Sequence, residues 1–70
     1  MNIRECTGII IEKDGEYLVG YNIVLQCLRW SNSPYDAWIT RKRDKALMVA
    51  NRVNGNRMLF NPVAYQIRRM

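Results

Sequence analysis

The side chains that could do chemistry in this 70-residue sequence are cations and carboxylates, because it contains no histidine. Histidine is a common general base in enzymes and a frequent metal ligand, so its absence counts against catalysis. The carboxylates have structural explanations: Asp14 lies at a predicted turn, Asp36 at a helix start and Asp44 among cations. No glycine-rich phosphate loop, nucleophile elbow or paired-carboxylate spacing occurs. We therefore expect a non-enzymatic protein that uses no cofactor and no metal ion.

The most informative polar feature is the run Arg41-Lys42-Arg43-Asp44-Lys45, called the basic segment (residues 41–45). It lies at the start of a predicted helix, where the macrodipole disfavours each cation by a few tenths to about 1 kcal/mol. Cations beside the free backbone N–H groups of a helix N-terminus form a site for phosphate or carboxylate. The alternative is a solvated run whose cost is offset by Asp44. The candidate anion-binding or nucleic-acid-binding residues are Arg41, Lys42, Arg43, Lys45, Arg52 and Arg57, and Arg68 and Arg69 could extend the patch.

The charges are divided unevenly between the two halves of the chain. Residues 1–39 contain three basic and five acidic residues, whereas residues 40–70 contain eight basic and one acidic residue, a net charge of +7. A one-sided field of this kind favours an anionic partner: nucleic acid, a nucleoprotein, an acidic protein surface or a phosphorylated ligand.

Aromatic residues interleave with these cations, an arrangement compatible with bases that stack on rings beside phosphate contacts. The aromatic residues concerned are Trp30, Tyr35, Trp38 and Tyr65. In a domain this small, Trp30 and Trp38 are expected to anchor the core instead, because large aromatic side chains dominate core packing.

The length and the apolar content indicate one domain over residues 1–70. A chain of this size buries only about 60% of its unfolded surface, so a homodimer is a reasonable expectation. Apolar runs such as Ile9-Ile10-Ile11 are far shorter than the roughly 20 residues of a membrane helix, and no signal-peptide pattern is present. We expect a cytoplasmic protein without a membrane contact. Cys6 and Cys27 are expected to be buried thiols, with a cross-strand disulfide as the alternative.

The clearest structural element is a β-hairpin over residues 7–21. Two β-rich runs flank Asp14-Gly15, which is a type I′ turn signal because both turn residues need positive φ. With this turn, Lys13 faces Glu16, and alternate residues of the ribbon point to opposite faces. One face is expected to cover the helix and the other to contact a partner. The residues of this candidate interface are Ile10, Tyr17, Val19 and Tyr21.

The remaining chain predicts a third strand over residues 24–30, a short helix over 34–39, a second helix over 43–54 and a last strand over 57–60. Ser33-Pro34 signals the start of the short helix, and Asn54-Gly55 the end of the second. The second helix has an apolar stripe at Ala46, Val49, Ala50 and Val53. Residues 63–70 predict no particular element. The expected fold class is α+β: a three-stranded antiparallel meander followed by a short helix, an amphipathic helix and a short last strand, βββααβ.

This order of patterns resembles a loose group of small proteins from phages and mobile elements. The resemblance covers about residues 8–60. It rests on the hairpin residues 13–18, Trp30 at the end of a strand, Ala37 seven residues later, and Asp44-Lys45-Ala46 leading through Val49-Ala50 to Asn54-Gly55. The group includes inhibitors of bacterial defence such as anti-CRISPR proteins, which act by binding, so the resemblance implies a binding protein. Many anti-CRISPR proteins that imitate DNA are strongly acidic, and this basic chain departs from that pattern.

Three functions are consistent with these features. The leading one is a non-enzymatic binding module whose basic segment engages nucleic acid or a nucleoprotein, as a phage-type inhibitor of host defence would. The second is a protein–protein inhibitor or a homo-oligomeric assembly protein that uses the apolar sheet face, with the charge steering the encounter. The third is a sponge that captures a nucleotide signal between basic and aromatic residues.

Overall fold

The computed structural model describes residues 7–22 and 27–70 of the chain. These residues form a five-stranded antiparallel sheet, a 3-10 helix and one α-helix, so the fold class is α+β as predicted. The sheet order is β3-β2-β1-β4-β5. The elements are β1 (Gly8–Lys13), β2 (Glu16–Asn22), β3 (Cys27–Ser31), the 3-10 helix (Pro34–Asp36), α1 (Arg43–Val53), β4 (Asn56–Asn61) and β5 (Gln66–Arg69). No helix within the described residues is long and apolar enough to span a membrane.

The predicted hairpin is confirmed, and the predicted three-stranded meander is confirmed in part. Asp14 and Gly15 have φ values of 54° and 83°, the positive values that a type I′ turn requires. Lys13 lies opposite Glu16, as a two-residue loop predicts. β3 then pairs antiparallel with β2, although the predicted beginning of this strand at residues 24–26 lies outside the described residues.

The predicted short helix over residues 34–39 is only partly correct. The chain makes a three-residue 3-10 helix and then becomes extended, because the next residues bond to the sheet. The Trp38 N–H donates to the Leu18 carbonyl of β2 at 2.8 Å, and Thr40 exchanges two hydrogen bonds of 2.7 and 3.0 Å with Ile9 of β1. A longer helix would lose these bonds, so tertiary pairing overrides the local helix signal of Ser33-Pro34.

The last part of the chain supplies two strands where one was predicted. β4 pairs with β1, which places the first strand at the centre of the sheet. The sequence of residues 63–70 predicts no element, yet this segment contributes β5 at the edge of the sheet. The turn between these strands is held by the Asn61 side chain, whose Oδ1 accepts hydrogen bonds from the N–H groups of Val63 and Ala64 at 3.0 and 3.2 Å. Such local bonding by asparagine stabilises a turn directly after a strand.

α1 covers one face of the sheet, and its predicted apolar stripe forms the core with Ile11 and Leu18. The buried stripe consists of Ala46, Val49, Ala50 and Val53. Trp30 and Trp38 are partly buried against this cluster, so both belong to the core as expected. Because side chains alternate along a strand, Ile10 points away from α1, yet it is also completely buried, with 0% exposure.

Two neighbouring residues with different roles end α1. Asn54 has a φ of 57° and supplies the predicted left-handed stop, and its N–H donates to the Ala50 carbonyl. Gly55 serves a close approach instead. A Cβ atom at this position would lie only 2.6 Å from the Cγ2 atom of Ile11. The sequence pair therefore combines a conformational requirement with a packing requirement.

Replacing Gly55 with alanine should lower the free energy of unfolding by about 1–3 kcal/mol, the usual cost of overpacking a core. The added methyl group would meet the fully buried Ile11 side chain and, at 3.1 Å, the Glu12 carbonyl oxygen, neither of which can retreat freely. Gly20→Ala is the matched control, because a Cβ atom there meets only ordinary contacts of 3.8 Å or more. Chemical denaturation compares the two variants. Equal stabilities would show that the Gly55 site has room for a side chain.

Candidate anion-binding surface

The basic segment begins where the chain leaves the sheet. Thr40 is fixed to the central strand by its two backbone hydrogen bonds with Ile9, and Arg41 follows directly. The Lys42 N–H donates to the Thr40 side-chain oxygen at 3.2 Å just before α1 begins. A rigid sheet therefore holds the segment at its N-terminal side. The four cations of the segment, Arg41, Lys42, Arg43 and Lys45, are all exposed.

The N-terminus of α1 presents backbone donors that the helix itself cannot use. The helix begins at Arg43, and its N-cap residue Lys42 makes no side-chain capping hydrogen bond. Ala46 donates to the Lys42 carbonyl, so the N–H groups of the three residues between them have no acceptor within the helix. The macrodipole adds partial positive charge at this end, and Asp44 is the acidic residue in the first turn. This end of the helix is accordingly cationic in both its backbone and its side chains.

Two of the predicted contacts lie away from this site. Arg52 is exposed in the last turn of α1, and Arg57 is half-buried on β4, opposite Ile11 of β1. A helical rise of about 1.5 Å per residue puts Arg52 about 13 Å from Arg43 along the helix axis. The structure therefore brings together Arg41, Lys42, Arg43 and Lys45, but not Arg52 or Arg57.

A second cationic feature lies beside the C-terminal half of α1. An open cleft of about 370 Å³ separates the helix from the ends of β4 and β5. Arg57 and Arg69 line this cleft together with Leu47 and Met70, both of which are substantially exposed. The placement of Arg57 and Arg69 at one cleft could not be predicted from the sequence, because it depends on β5, which no local pattern predicts.

Three aromatic rings lie together where β4 turns into β5, and we call Tyr35, Phe60 and Tyr65 the aromatic cluster. Tyr35 and Tyr65 stack with ring centroids 5.5 Å apart and an interplanar angle of 23°. Phe60 meets both rings edge to face, at 5.6 and 6.3 Å. Phe60 is buried, whereas Tyr35 and Tyr65 are 60% and 57% exposed. The two tyrosines are thus held in place from below but open to solvent above.

The predicted apolar interface on the hairpin is partly used by the chain itself. Ile10 is fully buried, and Tyr17 and Val19 are half-buried. Ile10 therefore belongs to the core of the single chain and offers no surface to a partner. The side chain of Tyr21 lies outside what the structure describes.

The described side chains at these surfaces are mainly hydrogen-bond donors. Lysine and arginine donate and do not accept, so they suit phosphate or carboxylate oxygens. Within residues 7–22 and 27–70, no group of three or more His, Cys, Asp and Glu side chains is placed to hold a metal ion. Cys6 and the side chain of Cys27 lie outside the described part of the chain, so their state stays a prediction.

We compared the chain with protein families, with curated proteins and with solved structures. The chain matches no protein-family model, no curated protein and no solved structure.

Proposed function

We propose that the protein is a non-enzymatic binding module of the cytoplasm whose basic segment holds the phosphates of a nucleic acid or a nucleoprotein. One observation carries this proposal: four exposed cations surround a helix N-terminus that has no side-chain cap. The helix dipole disfavours cations at this place, so folding gives no reason for them. An anionic ligand supplies the reason, because phosphate oxygens accept hydrogen bonds from the cations and from the free N–H groups alike.

Nucleic acid fits this surface better than a small anion does. The eight cations of residues 40–70 are accompanied by a single acid. They are spread over the basic segment, α1, β4 and β5 rather than gathered in one pocket. A polyanion can neutralise several of them at once, and each neutralised phosphate releases condensed counterions. The resemblance to a loose group of small phage and mobile-element proteins, some of which inhibit bacterial defence, suggests the setting, in which a basic binder occupies the nucleic acid or nucleoprotein of the defence system.

Binding to DNA should weaken steeply as salt is added. On a short labelled duplex, the slope of log K against log salt should be about −0.9 per phosphate neutralised, or between about −3 and −4 if all four cations of the basic segment take part. Fluorescence anisotropy over a series of salt concentrations measures this slope. If neither duplex nor single-stranded DNA or RNA binds at the lowest salt concentration, the proposal is wrong.

An acidic protein surface is the competing ligand for the same cations. A pull-down from bacterial lysate, with and without nuclease, separates the two classes of partner. If nuclease treatment abolishes the capture of partners, the result supports nucleic acid as the ligand. Capture that survives nuclease treatment contradicts the nucleic-acid version and indicates an acidic protein partner, for which the charge would mainly accelerate association.

A further inference from the structure

We infer that the nucleic acid held by this protein is single-stranded, and that Tyr35 and Tyr65 stack on its bases. The inference rests on the proposed function, since it names the form of nucleic acid that the same surface takes. It depends on the aromatic cluster, which the basic segment alone does not explain.

The rings of Tyr35 and Tyr65 are held in fixed positions but remain exposed. Tyr35 and Tyr65 are nearly parallel, with an interplanar angle of 23°, and the buried Phe60 supports both from the sheet. The Tyr35 hydroxyl donates to the Pro62 carbonyl at 3.2 Å, which fixes that ring further. More than half of each tyrosine nevertheless remains exposed. Aromatic side chains that stay open to solvent on an outer face are the platforms on which proteins stack unpaired bases.

The backbone of Tyr65 adopts a conformation that is unusual for an aromatic residue. This residue has a φ of 49°, in the left-handed region that asparagine and glycine adopt far more readily than an aromatic residue. It ends the loop of residues 62–65, which the Asn61 side chain already holds in shape. Loop formation alone would favour asparagine or glycine at this position. The aromatic ring, which asparagine and glycine lack, therefore makes a contribution that offsets the conformational cost of tyrosine at this position.

The position of the aromatic cluster relative to the basic segment decides whether one ligand can contact both. Phe60 of β4 lies opposite Gly8 at the start of β1, and the next β1 residue, Ile9, bonds to Thr40 on the other side of the strand. Arg41 follows Thr40 directly. Two strand spacings of about 4.8 Å thus separate β4 from the start of the basic segment. Phe60 shares the face of Gly8 and Ile10, which points away from α1, so a strand that contacts both features passes around this end of the sheet. Single-strand sites of roughly 4–16 nucleotides per OB-fold domain are long enough for this path.

A DNA or RNA duplex does not suit the two exposed tyrosine rings. In a duplex each base is stacked between its neighbours, and no base face is free for a protruding tyrosine pair. An unpaired strand presents base faces and phosphates together, which matches rings and cations at one end of the sheet. An apolar protein partner would match the rings but not the +7 charge of residues 40–70.

The test compares the full chain with three variants on three labelled probes of equal length: oligo-dT, oligo-U and a DNA duplex. Tyr35→Ala and Tyr65→Asn remove a ring, and Val63→Ala removes an equally exposed apolar side chain from the same loop as a control. Loss of one stacked base should weaken single-strand binding by about 5- to 150-fold. Tyr65→Asn should do so while its melting temperature stays equal or rises, because asparagine relieves the backbone strain. Val63→Ala should leave every affinity unchanged.

The outcomes separate this inference from the proposed function. Preferential binding of either single-stranded probe, lost in both tyrosine variants and retained in Val63→Ala, supports the inference, and the ratio of oligo-dT to oligo-U affinity identifies the preferred sugar. A duplex bound as tightly as a single strand, or tyrosine variants with unchanged affinity, would overturn the inference and leave phosphate binding by the basic segment intact. Wild-type protein that binds none of the three probes would overturn both.

Discussion

Replacing Ile10 with alanine is expected to lower the free energy of unfolding by about 2–5 kcal/mol, and by the same amount at every protein concentration. The side chain is completely buried within the single chain, so its truncation leaves a cavity in the monomer. A domain of this length has a total stability of only about 4–10 kcal/mol. The variant should therefore be partly unfolded under conditions in which the wild type is folded. Chemical denaturation at two protein concentrations a decade apart measures both the loss and its independence of concentration.

Val19→Ala is the control for this experiment. Val19 is half-buried on the neighbouring strand β2, so its truncation should cost clearly less than that of Ile10. A loss at Ile10 that shrinks at high protein concentration would contradict the expectation. It would mean that a second chain stabilises the variant, as the alternative of a homo-oligomeric assembly protein requires.

Removing the four cations of the basic segment is expected to abolish most of the nucleic-acid affinity. At about 0.1 M salt, each phosphate contact contributes close to one decade, so the variant with alanine at positions 41, 42, 43 and 45 should bind about 10³- to 10⁴-fold more weakly. Its salt slope should fall by about 3.6 in magnitude on a duplex probe and by about 2.8 on a single-stranded probe. Its stability should stay equal or rise slightly, because cations at a helix N-terminus are unfavourable. Fluorescence anisotropy and thermal denaturation measure the two effects.

A pair of double variants controls for net charge. Arg41→Ala/Arg43→Ala and Arg29→Ala/Arg52→Ala each remove two exposed cations, but only the first pair lies in the basic segment. The first should weaken binding by about 10²-fold and the second much less. Equal losses would mean that the overall positive field, and not the basic segment, holds the ligand.

The elements that could be predicted from the sequence are those with local causes. The β1–β2 hairpin follows from Asp14-Gly15, because the turn itself demands positive φ at both residues. α1 follows from its apolar stripe and from Asn54, which adopts the left-handed conformation at the helix end. β5 and the extended residues after the 3-10 helix have no such local cause. They exist because β4, and the parts of β1 and β2 that do not pair with each other, offer backbone partners that are distant in sequence.

Some features of the candidate site likewise follow from local sequence, whereas others depend on the fold. The exposure of the basic segment follows from its position at a helix start, which the helix pattern predicts. The separation of Arg52 and Arg57 from the segment depends on the direction of α1 across the sheet. Tyr35 and Tyr65 were recognised as aromatic residues near cations, but they are thirty positions apart. Only the β4–β5 turn and the 3-10 helix bring their rings into contact.

The central position of β1 has a consequence for how the protein is made. Its neighbour β4 is complete only at Asn61, so about 50 residues are synthesised between the end of β1 and the end of β4. At about 5–20 residues per second, this interval lasts a few seconds to about 10 s. During it, the three consecutive isoleucines Ile9, Ile10 and Ile11 have no β4 on one side, and α1 is itself complete only at Val53. Until β4 has formed, the newly made chain is therefore vulnerable to aggregation, and any fragment that stops short of β4 leaves the isoleucine-rich strand β1 uncovered on one side.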